Sequence, residues 1–148
     1  MTDEERPRTG RFWQFLAGGV AAPPAARLLG WTLSWVAPER GEIEVLFHPD
    51  VRFTNPMGDV QGGFVAAMLD DTLGPALVAT LDEHEFAPTL ELKLSFLRPA
   101  RPGRLTGRGQ VLHRGGTIAF LAGDLRDDGG QVLATASATA RIIRLDHV

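Results

Sequence analysis

The residues able to do chemistry lie close together. Asp70 and Asp71 stand side by side in QGGFVAAMLDDTLGPALVATL, residues 61–81, a stretch that is otherwise almost wholly apolar. A carboxylate in such surroundings is costly unless it is paired or used, and its uses are general-base and nucleophilic chemistry. The stretch opens with Gln61, Gly62 and Gly63, and Asn55 lies six residues before Gln61. Glycines in the first turn of a helix leave bare N–H groups and the positive end of the dipole facing a developing oxyanion. From these residue types alone, two readings stay open. The acids carry function, or one reaches solvent and the other bonds to backbone; the glycines admit a substrate carbonyl, or they ease a chain reversal.

Elements must hold these groups in place. Val65, Leu69, Leu73, Ala76 and Leu77 recur at helical spacing, which predicts one long helix over 61–81. That segment is apolar nearly all round, the pattern of a helix enclosed by other structure, and Gly74-Pro75 is expected to kink it. Upstream, Phe12 to Val20 and Ala25 to Leu29 read as short helices, and Thr32–Val36 and Glu42–Phe47 as a hairpin across Pro38-Glu39-Arg40-Gly41. Downstream, Leu90, Leu92, Leu94 and Phe96 alternate with polar residues, predicting a strand with one buried face. Arg104–Leu112 and Thr117–Arg126 flank Gly115-Gly116, a hairpin signal, and Gly129-Gly130 turns the chain into a last strand, Gln131–Arg144. Ala134, Ala136, Ala138 and Ala140 line one face of that strand. The expected architecture is α+β: one long helix lying in this alanine trough, wrapped by a curved antiparallel sheet of five to six strands. Residues 1–24 read as an N-terminal lead-in, solvated over 1–11, and 25–148 as one domain.

Composition narrows the chemistry. The 148 residues contain no cysteine, which excludes disulfides, thiol nucleophiles and thiolate metal sites. A net charge of −3 with scattered arginines argues against nucleic acid as a partner. His48, His84, His113 and His147 show no paired ligand spacing, so no metal is expected. Walker, GxGxxG and GxSxG signatures are absent. The apolar run after MTDEERPRTGR is broken by Gly18, Gly19, Pro23 and Pro24 and falls short of the ~20 residues of a membrane span, so the expectation is a cytoplasmic protein.

The string N-x2-G-x2-Q-G-G-x6-L-D-D-T-x-G-x-A, then TLELKLSFLRPA and GQVLATASAT, resembles the hotdog-fold acyl-CoA thioesterases of the phenylacetate-degradation type, over roughly Pro24 to Ile143. The resemblance implies a hotdog fold and hydrolysis of an acyl-CoA thioester, with no cofactor beyond the coenzyme A of the substrate. It implies that Asp70 is the catalytic carboxylate, that the Gly62 N–H polarises the thioester carbonyl, and that Asn55 places substrate or water. It also implies that Thr89 helps hold the attacking water. Gln61 departs from the family, which usually has His there; Gln can donate a hydrogen bond but cannot titrate.

Phe53, Phe64, Met68 and Phe96 are candidates for the acyl pocket, beside Gly63, and Arg98, Arg101 and Arg104 for the phosphates of coenzyme A. Asp71 is assigned a structural or auxiliary role, with Thr72 a further hydrogen-bonding group. Gly62 and Asp70 are eight residues apart, about 12 Å along a helix, too far for one chain to serve a single carbonyl. Two antiparallel helices from two subunits would join one Asp70 to the other chain's Gly62, and the resemblance implies the same shared site in a homodimer or homotetramer. The competing reading is a binding protein for acyl-CoA or a small aromatic ligand that has kept the pocket.

Overall fold

The computed structural model describes residues 8–146; Met1–Pro7 of the expected lead-in, and His147, lie outside the described residues. Two short helices, α1 (Arg11–Leu16) and α2 (Pro24–Leu29), precede the hairpin of β1 (Thr32–Ala37) and β2 (Glu42–Phe47). A single turn of 3-10 helix at Pro38–Arg40 joins these two strands. The long helix α3 spans Gly62–Val78. After it come β3 (Glu85–Phe86), β4 (Thr89–Phe96), β5 (Leu105–Arg114), β6 (Ile118–Arg126), β7 (Val132–Arg141) and β8 (Ile143–Arg144). Six strands form one antiparallel sheet in the order β1-β2-β5-β6-β7-β4, and β3 pairs with β8 in a small ribbon. The last strand is therefore two: Ile142 interrupts the run, and its N–H bonds instead to the Thr117 carbonyl at 2.7 Å.

Helix α3 crosses the sheet over β5 and β6, not chiefly over the alanine face of β7. Glycines rather than alanines create that approach. A Cβ on Gly107 would collide with Thr72 Oγ1, one on Gly109 would sit 3.1 Å from the Thr72 carbonyl oxygen, and one on Gly123 would sit 2.8 Å from Leu73 Cδ2. Gly109 and Gly123 are cross-strand partners, so both strands are bare where the helix presses hardest. The alanines of β7 are buried as the alternation requires.

The stripe Val65, Met68, Leu69, Thr72, Leu73, Ala76 and Leu77 faces the sheet and is buried with Ile43, Val45, Phe47, Leu121 and Leu125. At the far end α1 completes this core: Phe12 is buried and Trp13 Nε1 donates to the Ala79 carbonyl at 3.1 Å. The helix is not enclosed on all sides; Gly63 and Asp70 on its outer face are exposed.

Tertiary structure bears on two of the expectations. Pro75, expected with Gly74 to kink the helix or tighten a turn, lies inside a helix that continues to Val78. Proline has no N–H for the Asp71 carbonyl one turn back, and the Trp31 indole N–H takes that acceptor at 2.9 Å. The strand β4 does not bury its whole apolar face, because it is the sheet's edge. Leu92 and Leu94 are half-buried opposite Ala138 and Ala136, but Leu90 lies in a bulge and is 58% exposed, and Phe96 is 60% exposed. An edge strand of this kind offers unpaired backbone groups and apolar side chains to another chain.

Candidate active site

The segment before α3 is a closed loop. Thr54 and Val60 bridge its ends, Gly58 turns it at φ +82°, and the Asn55 side-chain oxygen accepts from the N–H groups of Met57 (3.0 Å) and Asp59 (3.2 Å). The Asn55 carbonyl oxygen is thus committed to the loop, leaving its Nδ2 as the group with donor capacity. The loop is anchored by Gln61 N–H to the Phe53 carbonyl (2.8 Å) and Val60 N–H to the Ala100 carbonyl (2.7 Å).

Gln61 is the N-cap of α3. Its Oε1 accepts from Gly63 N–H at 2.8 Å, and its main-chain carbonyl accepts from Phe64 and Val65. Among the described residues nothing accepts from the Gly62 N–H. One first-turn donor is therefore left without a protein acceptor at the positive end of a 17-residue helix. The cap also explains Gly63, where a Cβ would lie 2.7 Å from Gln61 Oε1. Gly63 serves the cap, and its N–H is taken by protein. With Oε1 turned inward, the Gln61 amide nitrogen is left as a second, non-titrating donor at this end.

Asp70 lies two helical turns away and is exposed. Thr89 Oγ1, at the start of β4, donates to its Oδ1 at 2.9 Å, which fixes the carboxylate while leaving Oδ2 open. Asp71 is half-buried, and its Oδ2 has no hydrogen-bond partner. Burial, and secondarily the charge of Asp70, push the Asp71 carboxyl up to about 6. Thr72 is fully buried and bonds the Met68 carbonyl at 2.8 Å, a packing role.

Of the candidate pocket residues, Met68 and Phe53 belong to the core, with Phe53 packed edge-on against Phe64 at 4.7 Å. Phe64 is half-buried and Phe96 is open to solvent, its ring beside the bare Cα of Gly62. The arginines have protein partners: Arg98 donates to the Val132 carbonyl (3.0 Å), Arg101 lies 3.4 Å from Asp59, and Arg104 pairs with Asp128 at 2.6 Å. Arg101, with a 78% exposed side chain and the longest of these contacts, keeps the most freedom to meet an anion. Among the described residues no group of His, Asp and Glu could hold a metal ion, and no helix is long and apolar enough to cross a membrane.

Sequence reasoning missed Trp31. Pro75 announces that the Asp71 carbonyl lacks a helical donor, but nothing local names the indole that supplies one.

One long helix packed on a six-stranded antiparallel sheet is the architecture of the hotdog thioesterase fold. The pattern of the thioesterase superfamily matches residues 57–134, and the chain belongs to that superfamily and is a thioester hydrolase. It is 26% identical over 129 residues to the medium/long-chain acyl-CoA thioesterase YigI of Escherichia coli K12, covering 78% of this chain and 83% of that one. Its fold matches that of a phenylacetic acid degradation-related protein from Ralstonia eutropha JMP134, with a TM-score of 0.85 and 40% identity over 88% of this chain and 98% of the other. The PaaI protein of the E. coli phenylacetic acid degradation operon shares the fold, with a TM-score of 0.79 and 20% identity over 89% and 93% of the two chains.

Proposed function

We propose that the protein hydrolyses acyl-CoA thioesters with aromatic or medium-chain acyl groups to the free acid and coenzyme A, without a cofactor, at sites shared between subunits of a homodimer or a dimer of dimers. The observation that carries this reading is the separation of the two half-sites. The open Gly62 N–H and the Thr89-bound Asp70 are eight residues apart on one unbroken helix, about 12 Å, so no single thioester reaches both within one chain. Each half-site also touches an opposite end of the edge strand β4: Asp70 through Thr89, Gly62 through Phe96. Antiparallel pairing of β4 with its twin carries the Thr89 end of one chain to the Phe96 end of the other, and it covers Leu90 and Phe96 as it does so. The names of the YigI and Ralstonia relatives support the choice of acyl group.

In this arrangement the thioester oxygen accepts from Gly62 N–H and from the Gln61 amide of one subunit, where the helix dipole favours its developing charge. Asp70 of the other subunit takes a proton from water as the water attacks, and collapse of the tetrahedral oxyanion expels the coenzyme A thiolate. The same geometry serves direct attack by Asp70 Oδ2 to form an anhydride that water then cleaves. Label found in Asp70 after one turnover in 18O water marks the anhydride route. Phe64 and Phe96 flank the acyl group, Asn55 Nδ2 steadies substrate or water, and Arg101 meets a phosphate.

The test is thiol release from aromatic and straight-chain acyl-CoAs. Asp70→Asn is expected to lose about 10²- to 10⁴-fold in kcat. Gly62→Pro, which removes the open N–H at a helix position that tolerates proline, is expected to be similarly impaired. Mixing the two variants by subunit exchange should restore about a quarter of wild-type activity, since half of the dimers are mixed and each mixed dimer has one intact site. Full activity of Asp70→Asn removes Asp70 from the mechanism; no recovery in the mixture removes the shared site.

A further inference from the structure

Strand β4 carries two opposite charges that its own sheet does not answer. Glu91 and Lys93 are exposed, and their cross-strand partners on β7 are the uncharged Thr139 and Ser137. Among the described residues neither forms an ion pair. Both lie on the face turned away from α3, because the alternate residues Leu92 and Leu94 pair with the buried Ala138 and Ala136. Among the described residues β7 is the only strand beside β4 in the sheet, so its other edge is unpaired. Charges that merely blunt an edge keep other strands away. A Glu and a Lys two residues apart on one face do something else: they are complementary to their own image under a two-fold rotation.

We infer that two β4 strands pair antiparallel about a two-fold axis at Leu92, so that Glu91 of each chain stands opposite the partner's Lys93 and these two ion pairs set the register of the shared site. This rests on the reading of the site as shared between subunits. A two-fold axis makes the numbers of opposed residues sum to a constant, and the sum must be even if the α3 faces of both strands are to lie on one side of the joined sheet. The axis therefore passes through a residue. The half-sites must also meet. Asp70 is held at Thr89 and Gly62 lies beside Phe96, and the midpoint between those ends, the bulge residue Leu90 included, falls at Leu92–Lys93. Charge chooses among the centres in that neighbourhood. An axis at Glu91 or at Lys93 sets like charges directly opposite each other, which is destabilising, and one at Leu94 puts Lys93 against Ser95. Only the axis at Leu92 pairs each charge with its opposite, and it does so twice, with Leu92 covering Leu92 on the α3 face. Moving the axis by one residue slides the partner by two, about 7 Å, and loses both pairs.

The experiment mixes charge variants of the full chain, with one partner mass-tagged, and counts mixed dimers by native mass spectrometry after subunit exchange at low salt. Glu91→Lys mixed with Lys93→Glu is expected to give about nine-tenths mixed dimers instead of the statistical half, since only the mixed dimer brings opposite charges together. Lys93→Glu mixed with wild type is expected to stay at the statistical half, because its mixed dimer gains one pair and loses the other. An excess of mixed dimers in that second mixture marks an axis at Lys93 and overturns the one at Leu92. The chain has no cysteine, so crosslinking gives an independent reading. Glu91→Cys and Lys93→Cys, with opposed Cβ atoms about 4.5–5.5 Å apart, should form a disulfide with each other; Lys93→Cys bonding more readily to itself overturns the register. Carrying Asp70→Asn on the Glu91→Lys chain and Gly62→Pro on the Lys93→Glu chain should raise the recovered activity from about a quarter to nearly half of wild type. A statistical half of mixed dimers with about a quarter of the activity overturns the register alone. Mixed dimers in excess without any recovery overturn instead the shared site on which it rests.

Discussion

The height of α3 above the sheet is set at Gly107, and substituting that residue tests how the core positions the site. In Gly107→Ala the new methyl overlaps Thr72 Oγ1 and comes within 3.0 Å of Thr72 Cγ2 and 3.2 Å of Phe47 Cε2, against an ordinary carbon contact of about 3.5–4.0 Å. Relief requires the helix to rise by several tenths of an ångström, or Thr72 to leave its rotamer and surrender its 2.8 Å bond to the Met68 carbonyl. Overpacking of this kind costs about 1–3 kcal/mol, and the smaller backbone entropy lost by alanine returns about 0.4–1 kcal/mol. A net loss of about 1–2 kcal/mol lowers the thermal midpoint by roughly 2–8 °C for a domain of this size. Thr72→Ala removes the two closest atoms and leaves only the 3.2 Å contact with Phe47 Cε2, so adding Gly107→Ala to it should cost much less, with a coupling of about 1 kcal/mol in the double-mutant cycle. Activity should follow geometry. A lifted helix draws Asp70 away from Thr89, now 2.9 Å from it, and kcat should drop in the single variant and recover relative to Thr72→Ala in the double. Circular dichroism melts and thiol release measure the two effects. Strict additivity of the substitutions would refute the claim that Gly107 and Thr72 set the helix height.

Two further outcomes follow from the neighbourhood of Asp71. Trp31→Phe removes the 2.9 Å indole bond to the Asp71 carbonyl and should cost about 1–2 kcal/mol. In a Pro75→Ala background the restored helical N–H should shrink that cost, as read from thermal melts of the four proteins. Asp71 also links stability to pH. Its folded-state pKa, raised to about 6, lies above the unfolded value near 3.9, so its stabilising proton is fully held below about pH 4 and is lost as pH rises through 6. Asp71→Asn should therefore match wild type near pH 4 and exceed it near pH 7.5. A shift of about two units corresponds to ~3 kcal/mol, reduced to about 1–2 kcal/mol because the side chain is partly solvated. Melting curves at the two pH values decide it, and an equal difference at both counts against the linkage.

Much of the fold is legible in residue order because it depends on local periodicity. The apolar positions 65, 69, 73, 76 and 77 repeat at the helical period, and the alternations around Leu92 and Ala136 repeat at two, so helix and strands need no tertiary information. Gly115-Gly116 and Gly129-Gly130 mark the reversals for an equally local reason, and the motif from Asn55 to Asp71 holds the candidate reacting groups.

Alternation reports which side chains share a face but not which strand ends the sheet. The edge position of β4 therefore emerged only when β7 was seen to be its sole partner in the sheet, and with it the exposure of Leu90 and Phe96. The bed of α3 on Gly107, Gly109 and Gly123, rather than on the alanines of β7, depends on strand order and twist, which no single strand encodes. Pro75 announced a helical carbonyl without its donor, and a tryptophan 44 positions upstream supplies the missing bond. Gln61 could be recognised as a donor from its type, but its service as a cap, which leaves Gly62 open, is a matter of side-chain torsion. The sequence by itself determined the elements and the chemical groups, since those follow from steric and solvation preferences over a few residues. Tertiary structure decided which groups meet, because contacts between residues far apart in the chain depend on how whole elements pack.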